Sequence, residues 1–168
     1  MENNQIFDSQ IIPVNILKGL KQIQNTSISE KRKVGAIVVS GHFLYHGYNR
    51  MFDGSKCENS DCETFSGVIH AEEDAIISYL KNKPTTYIEP ILFQTPIIIC
   101  TYSPCINCVK LIINSGIKTL FYIDKHKINF DTVLLKEDLS VKDFLLKHKV
   151  SVIRIDNEGN IVEKDITF

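Results

Sequence analysis

Three features that would assign a chain to a broad class are missing from this sequence. No apolar run approaches the ~18 residues that cross a bilayer. The first ten residues, MENNQIFDSQ, contain neither the cationic nor the apolar segment of a secretory signal. The formal net charge is -1, so the basic excess typical of proteins that bind bulk nucleic acid is absent. We therefore expect a cytoplasmic protein that acts on a small molecule rather than on a membrane or a polynucleotide.

The composition is that of an ordinary globular chain. Hydrophobic residues make up 43% of the 168 residues and charged residues 23%, which is enough apolar material for one buried core. The length predicts a single domain over residues 1–168. The chain has five cysteines, an odd number, and no export signal. Disulfides are therefore not expected, and closely spaced cysteines favour a metal site.

The hydrophobic pattern alternates between helical and extended segments, which predicts a mixed α/β sheet with helices on its faces. From the N-terminus, we predict a helix after Pro13, a hairpin over 34–48, a helix over 70–81, a strand over 97–102, a helix after Pro104, a strand over 117–123, a helix over 140–148 and a strand over 150–155.

Two short motifs at predicted helix starts have the composition of a zinc site. The first is His70-Ala-Glu72, and the second is Pro104-Cys105-Ile-Asn-Cys108. Catalytic zinc takes three protein ligands and keeps a fourth position for water. Cys105 and Cys108, at i and i+3 of a first helical turn, can direct both sulfurs to one point. Together with His70 they supply the three ligands, and the helix N-terminus favours thiolate.

Glu72 is the candidate catalytic residue. Zinc lowers the pKa of a bound water to about 7, so hydroxide becomes available to attack an aromatic amidine carbon. A ring nitrogen must then be protonated and the amine must leave as ammonia, and one carboxylate beside the metal can serve both steps. Glu73 and Asp74 are expected to face solvent or structural partners.

Each half of this pattern has a simpler interpretation. A Cys-x-x-Cys pair is common in structural zinc sites and in redox motifs, and a lone histidine is usually a satisfied polar residue. A closed structural site would need a fourth ligand, for which Cys100 is the candidate. Cys100 lies in an apolar predicted strand, so we interpret it as a buried thiol. His-x-Glu together with Pro-Cys-x-x-Cys is the signature of zinc deaminases.

The motifs resemble the deoxycytidylate (dCMP) deaminase family of the zinc-dependent cytidine/deoxycytidylate deaminase superfamily. Besides the two zinc motifs, the resemblance rests on Val34-Gly-Ala36, on Gly47-Tyr-Asn49 and on Ser103 before Pro-Cys. It implies a three-layer α/β/α fold with a mixed five-stranded sheet. It also implies deamination of dCMP to dUMP with release of ammonia, supplying pyrimidine nucleotides for dTMP synthesis.

The same resemblance implies further site residues and partners. Asn49 would hydrogen-bond the sugar, Ser103 would offer its carbonyl to the leaving amine, and Arg50, Lys125 and His126 are candidates for contacting the substrate phosphate. Some relatives hold a second, structural zinc with cysteines of the loop before His-Ala-Glu, and Cys57 and Cys62 are the residues available here. Relatives are homo-oligomers, and many respond to dCTP and dTTP.

The chain departs from the family pattern after Asn49. Arg50 replaces a glycine, Phe52 replaces a proline, and Asp74 stands where the family usually has asparagine. Two other functions stay open at this stage. One is a deaminase acting on a base within RNA or DNA, such as tRNA adenosine or cytidine, and the other is a non-catalytic binding module stabilised by zinc.

Overall fold

The computed structural model describes residues 12–83, 95–124, 133–134 and 139–165, with the backbone alone at 133–134 and 139. Within these ranges the elements are α1 Val14–Thr26, β1 Gly35–Ser40, β2 Phe43–Tyr48, α2 Ala71–Asn82, β3 Ile97–Cys100, α3 Ile106–Asn114, β4 Thr119–Tyr122, β5 Val133–Leu134, β6 Leu139–Ser140, α4 Val141–Lys147, β7 Ser151–Ile155 and β8 Ile161–Asp165.

Six of the described strands form one mixed sheet in the order β2-β1-β3-β4-β7-β8. β1 is antiparallel to both of its neighbours, β2 and β3, whereas β3, β4 and β7 run parallel. Parallel neighbours need crossover connections, and α3 and α4 lie between the paired strands in the sequence. The carboxyl ends of β3 and β4 therefore point the same way, and the polar residues that follow β3 begin the site described below.

Alternate residues of the central strands enter two separate cores, because successive side chains of a strand point to opposite faces. In β1, Ala36 and Val38 pack with α2, α3 and α4, whereas Ile37 and Val39 pack with α1. The helices thus cover both faces of the sheet, and the predicted three-layer α/β/α class is confirmed.

The sheet has six strands where five were expected. β8 follows a turn at 156–160 in which Gly159 adopts a positive φ of 87°, and it pairs antiparallel with β7 at the edge. Its sequence, Ile-Val-Glu-Lys-Asp, lacks the apolar alternation that identifies a half-buried strand. The acidic residues Glu163 and Asp165 instead form ion pairs with Lys142 of α4.

Other predicted boundaries hold to within one or two residues. α2 begins one residue after His70, and α4 is capped by Ser140, whose hydroxyl accepts from the Asp143 N–H in a capping box. β3 ends at Cys100, so the predicted strand over 97–102 is two residues too long. No helix in the described part of the chain combines the length and apolarity needed to cross a membrane.

Candidate functional site

His70 occupies the N-cap position of α2, with extended backbone and no side-chain capping bond. Its carbonyl accepts the first helical hydrogen bond from the Asp74 N–H at 3.0 Å. Because the imidazole makes no capping bond, it is available for contacts with other side chains. Three acidic residues, Glu72, Glu73 and Asp74, occupy the first turn, where negative charge is favourable beside the helix N-terminus.

Cys105 occupies the equivalent N-cap position of α3, just beyond the end of β3. Its carbonyl accepts from the Val109 N–H at 2.9 Å, and Cys108 follows on the first turn. Two helix N-termini thus present their capping residues to the same place, as the sequence motifs predicted.

The metal corner, which we define as His70, Cys105 and Cys108, has the dimensions of a tetrahedral zinc site. The two sulfurs lie 3.7 Å apart, and the His70 Nδ1 lies 3.5 Å from Cys105 Sγ and 3.4 Å from Cys108 Sγ. Zinc with bonds of about 2.3 Å to sulfur and about 2.0–2.1 Å to nitrogen would place sulfurs about 3.8 Å apart, and sulfur and nitrogen about 3.6 Å apart. The three donors therefore fit zinc in both type and spacing.

The electrostatics of the metal corner favour a bound thiolate. The hydrogen bond from Cys108 lowers the pKa of Cys105 to about 3, with a further contribution from His70. The hydrogen bond with Cys105 in turn raises the pKa of His70 to about 9. The same contact and burial raise the pKa of Cys108. A divalent cation bound to both sulfurs would offset the electrostatic repulsion between two thiolates held this close together.

Glu72 is buried beside the metal corner and is 4% exposed. Its Oε2 lies 3.5 Å from Cys108 Sγ, and burial raises the pKa of its carboxyl above the usual value. Such a carboxyl is a stronger base than a solvent-exposed one, so it is suited to accept a proton and deliver it later.

A cavity of about 390 Å³ opens onto these groups. His70, Glu72 and Cys105 line it, together with Asn49 and Ser103. Its volume lies in the range of small-molecule sites, about 300–1,000 Å³. The structure therefore brings two of the three predicted ligands, the predicted catalytic carboxylate and two of the predicted substrate-binding residues to one cavity.

Asn49 has a second role that the sequence did not reveal. Its Oδ1 accepts from the Val34 N–H at 2.8 Å, and its Nδ2 donates to the Arg32 carbonyl, also at 2.8 Å. The side chain thus fixes the segment that enters β1. One N–H and one lone pair remain for a ligand, so the predicted sugar contact stays a prediction.

Of the residues predicted to contact the phosphate, the structure describes Arg50, which does not line the cavity as the predicted sugar and amine contacts do. Arg50 forms a two-pronged ion pair with Asp74, at 2.8 Å and 3.3 Å. Two of the three departures from the family pattern, Arg50 and Asp74, are thus partners of each other. Lys125 and His126 lie outside the described residues.

Among the described residues, the metal corner is the one group of three or more potential ligands close enough to share an ion. The remaining cysteines are not part of it. Cys100 is fully buried in β3, in agreement with its interpretation as a core thiol. Cys57 is buried and Cys62 exposed, so the predicted second zinc has no described set of ligands.

Among the charged residues that line the cavity, the sequence did not predict three, Lys31, Arg32 and Glu58. The available signal was the basic run Lys31-Arg-Lys33 directly before the Val-Gly-Ala motif. Nothing in the local sequence pairs that run with Glu58, which is 25 or more positions away.

A His/Cys/Cys metal corner at two helix N-termini of an α/β/α fold has the pattern of the zinc deaminases. The model of the cytidine and deoxycytidylate deaminase zinc-binding region matches residues 16–124, well over half of the chain. The protein belongs to the cytidine and deoxycytidylate deaminase family.

Individual relatives agree with this assignment. The chain is 33% identical over 108 residues to ComE operon protein 2 of Bacillus subtilis (strain 168), a match that covers 60% of this chain and 53% of the relative. It therefore spans about half the length of that curated relative. The dCMP deaminase of the cyanophage S-TIM5, in complex with dCMP and dUMP, superimposes with a TM-score of 0.67 at 28% identity, covering 84% of this chain and 94% of the other. The apo form of that enzyme gives 0.59 at 26% identity, covering 83% and 93%.

Proposed function

We propose that the protein catalyses the hydrolytic deamination of dCMP to dUMP with release of ammonia. The observation that carries the proposal is the metal corner, whose donors have zinc spacing, beside a buried Glu72 carboxylate in a cavity of nucleotide size. Support for this substrate comes from the structural similarity to a dCMP deaminase that holds dCMP and dUMP.

His70, Cys105 and Cys108 would hold the zinc ion. When bound, zinc supplies Lewis acidity that makes a water molecule nucleophilic at neutral pH. With these three protein donors, a bound ion would have a fourth position for solvent, unlike an ion in a closed structural site.

Glu72 would carry the proton transfers. It accepts a proton from the attacking water and delivers it to N3 of the cytosine ring while oxygen bonds to C4. It then takes the remaining hydroxyl proton and delivers it to the amino group, which leaves as ammonia as the C4 carbonyl forms. Every proton is accounted for, since one water is consumed and one ammonia is released. Burial of Glu72 favours this double role, because a carboxyl with a raised pKa is a stronger base and, once protonated, keeps the proton until it is delivered.

Asn49 and Ser103 would contact the substrate from the cavity wall. Asn49 is held rigidly by its bonds to the segment before β1, so its free N–H would meet a sugar hydroxyl without loss of side-chain entropy. Ser103 is almost completely buried and lies two residues before Cys105, where its carbonyl would accept from the departing amine.

A substrate panel tests the proposal. Ammonia release is measured with dCMP, dCTP, deoxycytidine, cytidine and a cytosine-containing single-stranded oligonucleotide at matched concentrations. We expect dCMP to have the highest kcat/KM. Reaction of the oligonucleotide alone would contradict the assignment and support a polynucleotide deaminase, and zinc binding without any turnover would support a non-catalytic module.

The same panel, repeated with dCTP and dTTP present, tests the predicted regulation. Self-association, also predicted from the resemblance, is measured by light scattering on the zinc-loaded protein. A homo-oligomer is the expected result.

A further inference from the structure

The first turn of α2 lies directly against residues 47–50, which we call the β2 end segment. A methyl group added at Gly47 would lie 2.3 Å from the Ala71 carbonyl oxygen and 2.3 Å from the Ala75 nitrogen. Both are backbone atoms, and Cβ atoms in proteins essentially never approach other heavy atoms more closely than 3.0 Å. Because protein interiors are close-packed, any side chain at position 47 would have to separate α2 from the strand by about 0.7 Å.

The β2 end segment also bonds to the chain on both sides of His70. Just before the histidine, the Arg50 N–H donates to the Ile69 carbonyl at 3.1 Å, and the Ile69 N–H donates to the Arg50 carbonyl at 2.9 Å. Just after it, the Tyr48 N–H donates to the Asp74 carboxylate at 3.4 Å. The histidine is thus fixed through its chain neighbours as well as by the helix that begins after it.

The metal corner leaves little room for a shift of α2. His70 Nδ1 lies 3.5 Å from Cys105 Sγ and 3.4 Å from Cys108 Sγ. The two sulfurs belong to the start of α3, whereas the three nearest neighbours of a methyl group at Gly47 all belong to α2. Moving α2 alone would therefore change the distance from the imidazole to both thiolates. Ligand distances in metal sites hold to within about 0.2 Å, so a shift of about 0.7 Å exceeds the tolerance.

We propose that Gly47 is a positioning residue of the metal corner. Its missing side chain lets β2 seat the first turn of α2 at the place where His70 meets the two cysteines. Glu72 lies on the same turn, between the two residues whose backbone atoms a methyl group would strike. This inference rests on the proposed function only in its assignment of zinc to the metal corner, and it does not depend on the substrate.

The zinc affinity of Gly47→Ala tests this role. The Kd for zinc, measured by competition with a chelator, is expected to rise about 10- to 100-fold, as when a group that orients a metal ligand is lost. The visible absorption of the cobalt-substituted protein, which reports tetrahedral geometry, should weaken in the same variant. Neither readout requires turnover.

Gly35→Ala is the matched control. Gly35 lies in β1 opposite Tyr48, and a methyl group there would lie 2.9 Å from the Gln24 nitrogen and 3.0 Å from the Leu20 carbonyl oxygen, both in α1 on the other face of the sheet. Overpacking should lower its Tm, while its Kd for zinc stays within about twofold. An unchanged Kd in Gly47→Ala, or a rise that Gly35→Ala reproduces, would overturn the proposal.

Gly19→Ala provides a stabilised background if Gly47→Ala alone does not fold. A methyl group at Gly19 meets nothing within 4 Å, and alanine is favoured over glycine inside a helix. The double variant is then compared with Gly19→Ala alone, and the same rise in the Kd for zinc is expected.

Hydrogen exchange of the wild-type protein tests the proposal without any substitution at the site. Zinc should slow exchange of the Arg50 and Ile69 amides about tenfold or more, because they form one unit with His70. The amides of β7 should change little. Slowing confined to α2 and α3 would overturn the proposal. Zinc binding that does not depend on Gly47 removes this inference alone, whereas a wild-type protein that binds no zinc removes the proposed function as well.

Discussion

The metal corner and the 29–32 loop line one cavity, yet they are built in different ways. The metal corner uses two helix N-termini, and each contributes its residues from a span of four positions or fewer. The 29–32 loop is irregular and takes its shape from Glu58 and Asn49, which lie on other segments. Local helix geometry thus fixes the reactive groups, and long-range hydrogen bonds fix the loop. The two regions should respond differently to substitution.

Loss of a metal ligand should have the largest effect. Cys105→Ala removes one of three donors at 3.5–3.7 Å spacing, so we expect zinc content to fall from about one per chain to nearly none and turnover to vanish. Zinc is measured by mass spectrometry after gel filtration. Cys62→Ala is the control, since this exposed thiol lies outside the metal corner. A Cys105 variant that keeps both zinc and activity would refute the assignment.

Glu72→Gln should separate chemistry from metal binding. The substitution keeps side-chain shape while removing the proton acceptor, so kcat should fall about 10³-fold or more, with zinc content unchanged. Glu73→Gln alters a neighbouring carboxylate of the same helical turn that does not line the cavity, and it should leave kcat within about twofold. Retained activity in the Glu72 variant would remove that residue from the mechanism.

Asn49 connects the two regions, and its replacement should affect stability as well as affinity. Asn49→Ala leaves the partly buried Val34 N–H and the Arg32 carbonyl without their partners, so the free energy of unfolding should fall by about 1–3 kcal/mol. KM for dCMP should rise because the 29–32 loop loses its anchor. Urea denaturation measures the first effect, with Asn25→Ala on exposed α1 surface as control. A change in KM without any loss of stability would reduce Asn49 to a substrate contact.

The smallest effect is expected from the Arg50–Asp74 pair, which is partly exposed, with side-chain accessibilities of 30% and 20%. A double-mutant cycle with Arg50→Ala and Asp74→Ala should give a coupling energy of about 0.5–1 kcal/mol. KM for dCMP in Arg50→Ala should change by less than about twofold. A larger rise would support Arg50 as a phosphate contact.

The residues predicted from sequence are those whose neighbours are local. His70, Glu72, Cys105 and Cys108 were identifiable because i, i+2 and i, i+3 spacing at helix starts already specifies their geometry. The apolar helices and strands followed from periodicity in the same way.

The residues missed are those whose roles depend on distant partners. Arg50 remains a predicted phosphate contact, but its ion pair with Asp74, 24 positions away, has no signal in the local sequence. Ser29 and Glu58 lie 29 positions apart and share no recognisable motif. β8 was missed because Glu163 and Asp165 stand where a half-buried strand usually has apolar residues. Lys142 of α4 pairs with both, and the hydrophobic pattern of the strand does not reveal that contact.

X-ray absorption at the zinc K-edge of the purified protein tests the central claim most directly. Three protein ligands and one open position predict a coordination sphere of two sulfurs at about 2.3 Å, one imidazole nitrogen and one further light atom from solvent at about 2.0–2.1 Å. A sphere of three or four sulfurs would mean a closed structural site and would contradict the account, as would a protein that binds no zinc.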